Sequence, residues 1–353
     1  TLERAVRVAE VHAFLAERLT GEWATSWASA DPTGLVDVRT FQYSDELLQP
    51  AGVRRDQLPA LVAPGSIIGG VTGDASAQTG LPAGTPVVAG SGDGQSAGLG
   101  AAVCASGVAY LNLGTAVTQG VHADRYMTGP AYRSMASPIA GRWTLESALA
   151  SGVHSLDWFR ASILGDTSEA ALARLTAEAA EVPAGAQGLL FLPYLIRAEA
   201  PHWDPDARGA WVGLRDHHGL AHMYRAVLEG ITYEQLQILA MIEADTGVRA
   251  ERVRLMGGGA RSALWVQLIA DIFERPVEVT EHSETTALGA AVLAASAVGL
   301  DAMWDVVATA DRMSQGWREV LPQDDDRERY RAMSELYREL YPALAPVFTR
   351  LAG

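Results

Sequence analysis

The clearest folding unit in the chain is the stretch RVRLMGGGARSALWVQLIADIFERPVEVT, residues 252–280. Arg252–Met256 has the composition of a strand, and the three glycines that follow predict a turn. Residues 262–273 show the apolar spacing of a helix, and Val277–Thr280 predicts a second strand. Strand, helix and strand in this order form a βαβ crossover, which joins parallel strands. The unit therefore predicts an α/β protein with at least partly parallel sheets.

Strands and helices alternate along the rest of the chain. The apolar spacing predicts helices at residues 2–19, 44–48, 145–164, 169–181, 286–298 and 324–348, and a long helix within 209–245. Strands are predicted at residues 66–72 and 85–89 and on both sides of the Gly114-Thr115 dipeptide. The apolar face of the C-terminal helix favours packing against the core over a partner surface, and it comprises Tyr330, Met333, Leu336, Tyr337 and Leu340.

The composition excludes several classes of protein. The 353 residues are 48% hydrophobic and 20% charged, which is typical of a globular protein large enough for two domains. The formal net charge is −15, and all 27 basic side chains are arginine. The absence of lysine excludes a P-loop, a protein-kinase site and a Schiff-base enzyme that uses its own amine. The acidic balance argues against nucleic acid or an anionic membrane as the main partner and favours a small molecule or a protein.

A single cysteine, Cys104, stands among alanines and cannot form an internal disulfide. We therefore expect a buried, unreactive thiol and a cytoplasmic protein. No run of about 18 apolar residues occurs, and charged residues interrupt the first predicted helix. We expect neither a membrane span nor a signal peptide.

The carboxylate of Asp93 stands among glycines at the end of a predicted strand, in the segment TPVVAGSGDGQSAGLG at residues 85–100. No side chain crowds that carboxylate, so it can face a substrate and act as a general base. The alternative is that Asp93 only caps the helix that follows, where aspartate is common. A dinucleotide-binding glycine motif fits less well, because Gln95 occupies the position of its third glycine.

Two glycine turns offer backbone N–H groups to an anion. In the first, Gly114 and Thr115 form a tight bend between two strands, in the segment YLNLGTAVTQGV at residues 110–121. Such a bend can hold a phosphate in a backbone nest, or it can be an ordinary hairpin. In the second, three glycines precede a predicted helix, whose N-terminus favours negative charge. That turn can take a flat ring or a phosphate, or it can serve packing alone.

Two histidines, His218 and His222, are four residues apart with Asp216 nearby, as in some zinc sites. No third ligand is evident, and no His-Glu-x-x-His pattern occurs. We therefore favour surface or capping histidines over a metal cage.

Several segments, taken in order, resemble the FGGY family of carbohydrate kinases. GAWVGL at residues 209–214, continued by HMYRAVLE at 222–229, is similar to the second signature of that family. FLPYL at 191–195 and TALGAAVLAA at 286–295 resemble the family in the same order, and the resemblance covers about residues 1–300. Within the family, the residues around the signature are most similar to the xylulokinase-like pentulose kinases.

The resemblance implies an actin-like ATPase fold, related to ribonuclease H, with two domains that close on a cleft. Residues 1–104 would be the remaining part of the sugar-binding domain, and residues 105–353 the nucleotide-binding domain with the C-terminal helix. The implied activity is transfer of the γ-phosphoryl group of ATP to a sugar, with a ketopentose such as xylulose as the first candidate. The alternatives are a kinase for glycerol, gluconate or ribulose, and a non-catalytic nucleotide-binding fragment. The family also implies a homodimer.

The resemblance also assigns roles to the glycine motifs. Asp93 falls on the catalytic aspartate, which takes the proton of the sugar hydroxyl as that hydroxyl attacks the γ-phosphorus. Gly114 and Thr115 fall on the second phosphate loop. The adenosine-binding turn falls on Gly257, Gly258, Gly259 and Ser262. Mg²⁺ would screen the triphosphate, which explains how an acidic chain without lysine can hold it.

One family motif is missing from the sequence. Members open with a strand and a D-x-G-T phosphate loop, followed by most of the sugar-binding residues, and no D-x-G-T occurs in this chain. We therefore expect an incomplete first domain. We also expect this chain alone to transfer little or no phosphate, because that chemistry depends on groups positioned on both sides of the cleft.

Overall fold

A computed structural model describes residues 4–282, 284–299 and 305–353 of the chain. The helices are α1 (Val11–Thr20), α2 (Trp27–Ala30), α3 (Asp45–Ala51), α4 (Gly73–Thr79), α5 (Asp93–Gly100), α6 (Gly152–Trp158), α7 (Glu169–Ala180), α8 (Leu220–Thr246), α9 (Ala263–Phe273), α10 (Thr285–Ala297), α11 (Val306–Met313) and α12 (Arg327–Ala352). The strands are β1 (Ala24–Ser26), β2 (Val36–Asp37), β3 (Gln42–Tyr43), β4 (Ala60–Val62), β5 (Ile67–Gly70), β6 (Pro86–Val88), β7 (Val108–Leu113), β8 (Val117–Ala123), β9 (Arg133–Ala136), β10 (Trp143–Leu149), β11 (Leu190–Leu192), β12 (Ala210–Val212), β13 (Arg252–Met256), β14 (Val277–Thr280) and β15 (Trp317–Val320). This order of elements confirms the predicted α/β class.

Within the described ranges, a seven-stranded mixed sheet carries the larger part of the fold, in the order β15-β14-β13-β7-β8-β10-β9. β13 pairs in parallel with both β7 and β14, whereas the other pairs of this sheet are antiparallel. The predicted βαβ unit is confirmed, because β13 and β14 have the predicted bounds and α9 connects them. Parallel strands end at one edge of a sheet, so the turns after β7 and β13 lie at the same edge.

The main core lies between this sheet and the helices that cover it. α8 buries Val227 and Ile231 completely, and α9 buries Trp265 to 1% exposure. α12 adds Tyr330 and Met333, together with Tyr337, to the same core. The predicted packing face of the C-terminal helix is therefore confirmed for these three side chains. Leu336, which was predicted on the same face, is 51% exposed.

Short elements precede α5. β1 pairs in parallel with β4, and β2 with β3 and β5 with β6 form antiparallel pairs. α5 then crosses α10 closely, with Gly100 and Gly289 at the crossing. A Cβ on either glycine would overlap with the backbone of the other helix. This crossing fixes α5, and with it Asp93, against the helix that follows β14.

The helix predicted at residues 2–19 is wrong in its first half. Residues 1–3 lie outside the described residues, and α1 begins only at Val11. The backbone before it is engaged elsewhere, since the N–H of Val8 donates to the Gln57 carbonyl at 2.9 Å. A tertiary contact therefore overrides the helical spacing of the apolar residues.

The helix predicted at residues 145–164 is wrong in its first part. That part belongs to β10, which is paired on both sides, with β8 and with β9. Most residues of β10 are buried whichever face of the sheet they occupy, so the polar and apolar alternation of a half-buried strand is missing. The helix begins instead at Gly152, and α6 continues into a π-helical turn at Phe159–Leu164.

Cys104 is buried, as predicted, and burial raises the pKa of its thiol to about 12. In the part of the chain that the structure describes, every helix is too short or too polar to span a bilayer.

Candidate active site

The two glycine turns meet at one edge of the sheet. β7 and β13 are neighbours with Asn112 opposite Met256, so the bend at Gly114 and the triple glycine follow adjacent strand ends. Gly257 has a positive φ of 83°, and a Cβ there would lie 2.5 Å from Asn112 Oδ1 and 2.9 Å from the Leu113 backbone. Glycine suits both this conformation and this close approach. The structure therefore places the two turns side by side.

The N-terminus of α6 fixes the bend between β7 and β8. The N–H of Val153 donates to the Gly114 carbonyl, and the N–H of His154 donates to the Thr115 carbonyl, both at 3.1 Å. Gly114 is half-buried and Thr115 is exposed. With its carbonyls bound to the helix, the bend keeps the Thr115 hydroxyl at the surface, an arrangement that suits a phosphate.

A cavity of about 470 Å³ begins next to the triple glycine. Gly258, Gly259 and Ser262 line one part of it. The remaining wall is largely apolar and includes Leu156, Leu172, Tyr224, Leu228, Leu264 and Trp265. Ser262 Oγ accepts the N–H of Trp265 at 3.3 Å and so caps α9. Apolar walls beside exposed main chain fit a flat ring.

A second cavity, of about 380 Å³, also borders the triple glycine. Gly257 and Gly258 line it together with polar and charged side chains, among them Arg261, Glu281 and His282. Gly258 thus borders both cavities, and nothing lies within 4 Å of the position that its Cβ would take. The turn therefore separates an apolar cavity from a polar one.

Asp93 is the first residue of α5, with Gly92 at the N-cap. Its side chain is exposed, and Oδ1 accepts the N–H of Gly94 at 2.8 Å. The N–H of Gly92 and Nε2 of Gln95 both donate to the carbonyl of Ala28, at 3.4 and 3.2 Å. The turn that carries Asp93 is therefore anchored to α2, while the carboxylate itself stays in solvent.

Glu146 on β10 lies against the first turn of α5. A Cβ on Gly94 would overlap with Glu146 Oε2, so the carboxylate touches the helix backbone. Oε2 accepts the Tyr110 hydroxyl at 2.5 Å, and Oε1 accepts Nη2 of Arg133 at 3.1 Å. Burial raises the pKa of Glu146, and the nearby Asp93 carboxylate adds to the rise. The hydrogen bonds from Tyr110 and Arg133 lower it.

Asp31 joins this group from the N-terminal part of the chain. Its Oδ2 accepts the N–H of Ala136 at 2.8 Å. Burial raises the pKa of Asp31 to about 6, and the negative charge of Glu146 adds to the rise. The Ala136 hydrogen bond and the charge of Arg133 lower it. Three carboxyl groups and one guanidinium therefore gather beside the start of α5.

The Asp93 group and the glycine turns lie at different positions along β7. Tyr110, which binds Glu146, precedes Gly114 by four residues, or about 13 Å along a strand. β7 therefore connects the carboxylate group around Glu146 with the bend at Gly114.

His218 and His222 act as capping residues. Nδ1 of His218 accepts the N–H of Arg215 at 2.9 Å, and Nδ1 of His222 accepts the N–H of Gly219 at 3.3 Å. Both imidazoles therefore bond to the backbone of the turn before α8, as capping side chains do. In the described ranges, no group of three or more His, Cys, Asp or Glu side chains is arranged to hold a metal ion.

Known protein families match most of the chain. The N-terminal domain of the FGGY family of carbohydrate kinases matches residues 1–100, and the C-terminal domain of that family matches residues 109–298. This chain belongs to the FGGY family of carbohydrate kinases. It is a carbohydrate kinase with the actin-like ATPase fold of that family.

Similar FGGY kinases differ in the substrate that their names give. The xylulose kinase of Escherichia coli (strain K12) is 32% identical over 337 residues, 95% of this chain and 68% of that protein. The gluconokinase of Bacillus subtilis (strain 168) is 30% identical over 358 residues, 99% of this chain and 69% of that protein. A crystal structure of ligand-bound xylulose kinase from Lactobacillus acidophilus matches with a TM-score of 0.90 at 26% identity, covering 98% of this chain and 69% of that one.

Sequence reasoning about this FGGY kinase missed Asp31, Arg133 and Glu146. Glu146 lay inside a predicted helix, whereas β10 places it opposite Arg133 on β9. A lone glutamate in a mostly buried strand is unusual, and it would have been a signal had the strand been recognised. Asp31 carried no such signal, because 105 residues separate it from its partner Ala136.

Proposed function

We propose that this kinase transfers the γ-phosphoryl group of ATP to a ketopentose such as xylulose, with Asp93 as the general base. The observation that carries the proposal is the exposed Asp93 carboxylate at the start of α5, above a sheet whose edge presents two adjacent glycine turns. A xylulose kinase is among the similar proteins, at 32% identity.

Main-chain groups hold ATP in this proposal. The amides around Gly114 and the hydroxyl of Thr115 contact the phosphates, as in other backbone nests. The turn Gly257–Gly259 lies beside them, and the apolar cavity that Gly258, Gly259 and Ser262 border takes the adenine ring. This arrangement supports nucleotide binding in a chain without lysine.

Mg²⁺ belongs to the proposal as the ion that accompanies ATP. It usually binds through phosphate oxygens, water and one or two carboxylates, so it needs no cage of protein ligands. The exposed Asp93 carboxylate would contact the ion only through one of its bound waters, which leaves the carboxylate free to accept a proton. When bound, the ion neutralises charge that develops on the phosphoryl oxygens.

Asp93 performs the proton transfer. Its carboxylate accepts the proton of the acceptor hydroxyl as that oxygen forms its bond to the γ-phosphorus and the bond to ADP breaks. The hydrogen bonds of Gly92 and Gln95 to Ala28, and the contact of Gly94 with Glu146, hold the turn in place before substrate arrives. Such preorganisation supplies most of the rate enhancement in this chemistry.

The proposal assigns the two substrates to different parts of the chain. Residues 1–104 carry the acceptor side and residues 105–353 the nucleotide side. The domain matches at residues 1–100 and 109–298 support a boundary near this point. A cytoplasmic location is supported by the single buried thiol of Cys104, and the homodimer stays a prediction.

Gluconate is the second candidate acceptor. The gluconokinase of Bacillus subtilis is 30% identical and covers 99% of this chain, so the sequence comparison does not separate the two sugars.

A substrate panel tests the proposed function. The protein is expressed from its complete reading frame and assayed for ADP release with ATP, Mg²⁺ and xylulose, ribulose, glycerol or gluconate. We expect the highest kcat/KM with xylulose. Faster turnover of gluconate would show that gluconate, and not a ketopentose, is the acceptor. ADP binding without sugar-stimulated ADP release would indicate a nucleotide-binding module. The same assay on residues 1–353 tests the expected low transfer by this chain alone.

A further inference from the structure

We propose that Arg133 binds the acceptor sugar and that the carboxyl groups around it select a neutral acceptor over an anionic one. Glu146 is then a positioning residue, which holds Arg133 on the face of the sheet that meets the first turn of α5. The inference rests on the proposed function, because it concerns the acceptor of the same reaction. It names ketoses and polyols, rather than sugar acids, as the substrate class.

Strand register places Arg133 on the face of the sheet that meets α5. Arg133 on β9 and Glu146 on β10 are directly opposite each other in an antiparallel pair. Directly opposite residues of such a pair point to the same face. Glu146 touches Gly94 on that face. Arg133 therefore lies on the side from which α5 carries Asp93.

A buried carboxylate holds an exposed guanidinium at this point. The side chain of Glu146 is 4% exposed, whereas that of Arg133 is 58% exposed. Within the described residues, the hydrogen bond of the Arg133 guanidinium is the one from Nη2 to Glu146 Oε1. A guanidinium has five N–H donors, so most of them remain for a ligand. Hydroxyl and carbonyl oxygens of a sugar are suitable acceptors for these donors.

The surrounding charges argue against an anionic acceptor. Asp31 and Glu146 both interact with the Arg133 guanidinium, and the Asp93 carboxylate interacts with Glu146. Because Arg133 is already paired with Glu146, a carboxylate on the substrate would meet a net negative group. A neutral sugar avoids this repulsion, and its hydroxyl groups both accept from Arg133 and donate to the carboxylates.

Substitution of Arg133 tests the contact in the protein from the complete reading frame. We expect Arg133→Gln to raise the KM for xylulose at least tenfold, while kcat at saturation and the KM for ATP change less than threefold. Arg133→Lys keeps the charge and should give an intermediate KM. The matched control is Arg142→Gln, which removes another exposed arginine, paired with Asp124 at 3.1 Å. An unchanged xylulose KM in Arg133→Gln overturns the contact.

Calorimetry of xylulose binding without nucleotide measures the same contact without catalysis. We expect Arg133→Gln to bind xylulose at least tenfold more weakly than the wild type. Equal affinities, or a wild type that binds no neutral sugar, overturn the inference. Failure of the proposed function is seen separately, as a wild type that binds xylulose but releases no ADP.

A double-mutant cycle separates positioning by Glu146 from general packing. Glu146→Gln alone should raise the KM for xylulose. If Glu146 acts through Arg133, the increase in KM of the double variant should be at least fivefold smaller than the product of the increases in the two single variants. Multiplicative effects would show that Glu146 does not act through Arg133.

Asp31→Asn tests the charge selection. Removal of one carboxylate should raise kcat/KM for gluconate relative to xylulose at least threefold. An unchanged ratio overturns the selection of neutral acceptors by charge.

Discussion

The carboxylate of Glu146 touches the backbone of Gly94, one residue after the proposed base. The same carboxylate accepts hydrogen bonds from Tyr110 and Arg133, so β7 and β9 set its position. These contacts therefore fix the position of the first turn of α5 relative to the sheet. A kinase that works mainly by positioning its reactants benefits from a base on such a turn.

Gly94→Ala should disturb this contact. The added methyl group would overlap with Glu146, and relief of that overlap costs about 1–3 kcal/mol, more than alanine gains in helix propensity. We expect a lower free energy of unfolding by urea and at least a tenfold loss of kcat. The control is Gly73→Ala in the first turn of α4, where nothing lies within 4 Å. A Gly94→Ala protein with wild-type kcat and stability would refute the contact.

Gly258→Leu should block the nucleotide without unfolding the protein. The position of its Cβ has no neighbour within 4 Å, and the residue borders both cavities at the triple glycine. We expect ADP affinity, measured by calorimetry, to fall at least tenfold, with a change in unfolding free energy below about 1 kcal/mol. Gly73→Leu, at another open glycine, should bind ADP normally. Unchanged ADP affinity in Gly258→Leu would show that the nucleotide does not bind at the triple glycine.

Asp31→Asn should change the pH dependence of stability. Burial raises the pKa of Asp31 from 3.8 to about 6, so the folded state holds this proton more tightly than the unfolded state. The contribution of Asp31 to stability is therefore greatest below pH 4 and is lost as the pH rises to about 6. The difference of about two pKa units corresponds to at most about 3 kcal/mol.

The measurement is urea unfolding of the wild type and Asp31→Asn at pH 4, 5, 6 and 7. Asparagine keeps an acceptor for the Ala136 N–H but carries no charge. We expect the variant to match the wild type at pH 4 and to exceed its stability above pH 6. A difference that does not vary with pH would contradict the raised pKa.

Sequence patterns predicted the parts of the fold that depend mainly on interactions between residues close together in the chain. The unit β13-α9-β14 has buried strands, a strongly apolar helix and a glycine turn within 29 residues, so its spacing alone predicts it. The bends at Gly114 and Gly257 were likewise visible, because glycine marks close approaches of the backbone. Tertiary partners decided the rest, as in the segment near Val8, which bonds to Gln57 rather than forming a helix.

The sequence predicted only those residues of the candidate site that stand in short motifs. Asp93 stands in a glycine-rich motif, and its exposure at the start of α5 agrees with that sequence context. Arg133 and Glu146 lie opposite each other on β9 and β10, whereas Asp31 reaches β9 from 105 residues away along the chain. A single sequence carries no spacing rule for such a group, so the residues proposed to select the acceptor had to be found in the structure.

Asp93→Asn tests the central claim most directly. The asparagine keeps the size of the side chain and the local bond to Gly94 but accepts no proton. In the protein from the complete reading frame, we predict that kcat with xylulose falls at least 100-fold, while ADP affinity changes less than threefold. Asp74→Asn, in the first turn of α4, is the matched control and should keep wild-type kcat. An Asp93→Asn protein that retains more than a tenth of the wild-type kcat would contradict the account.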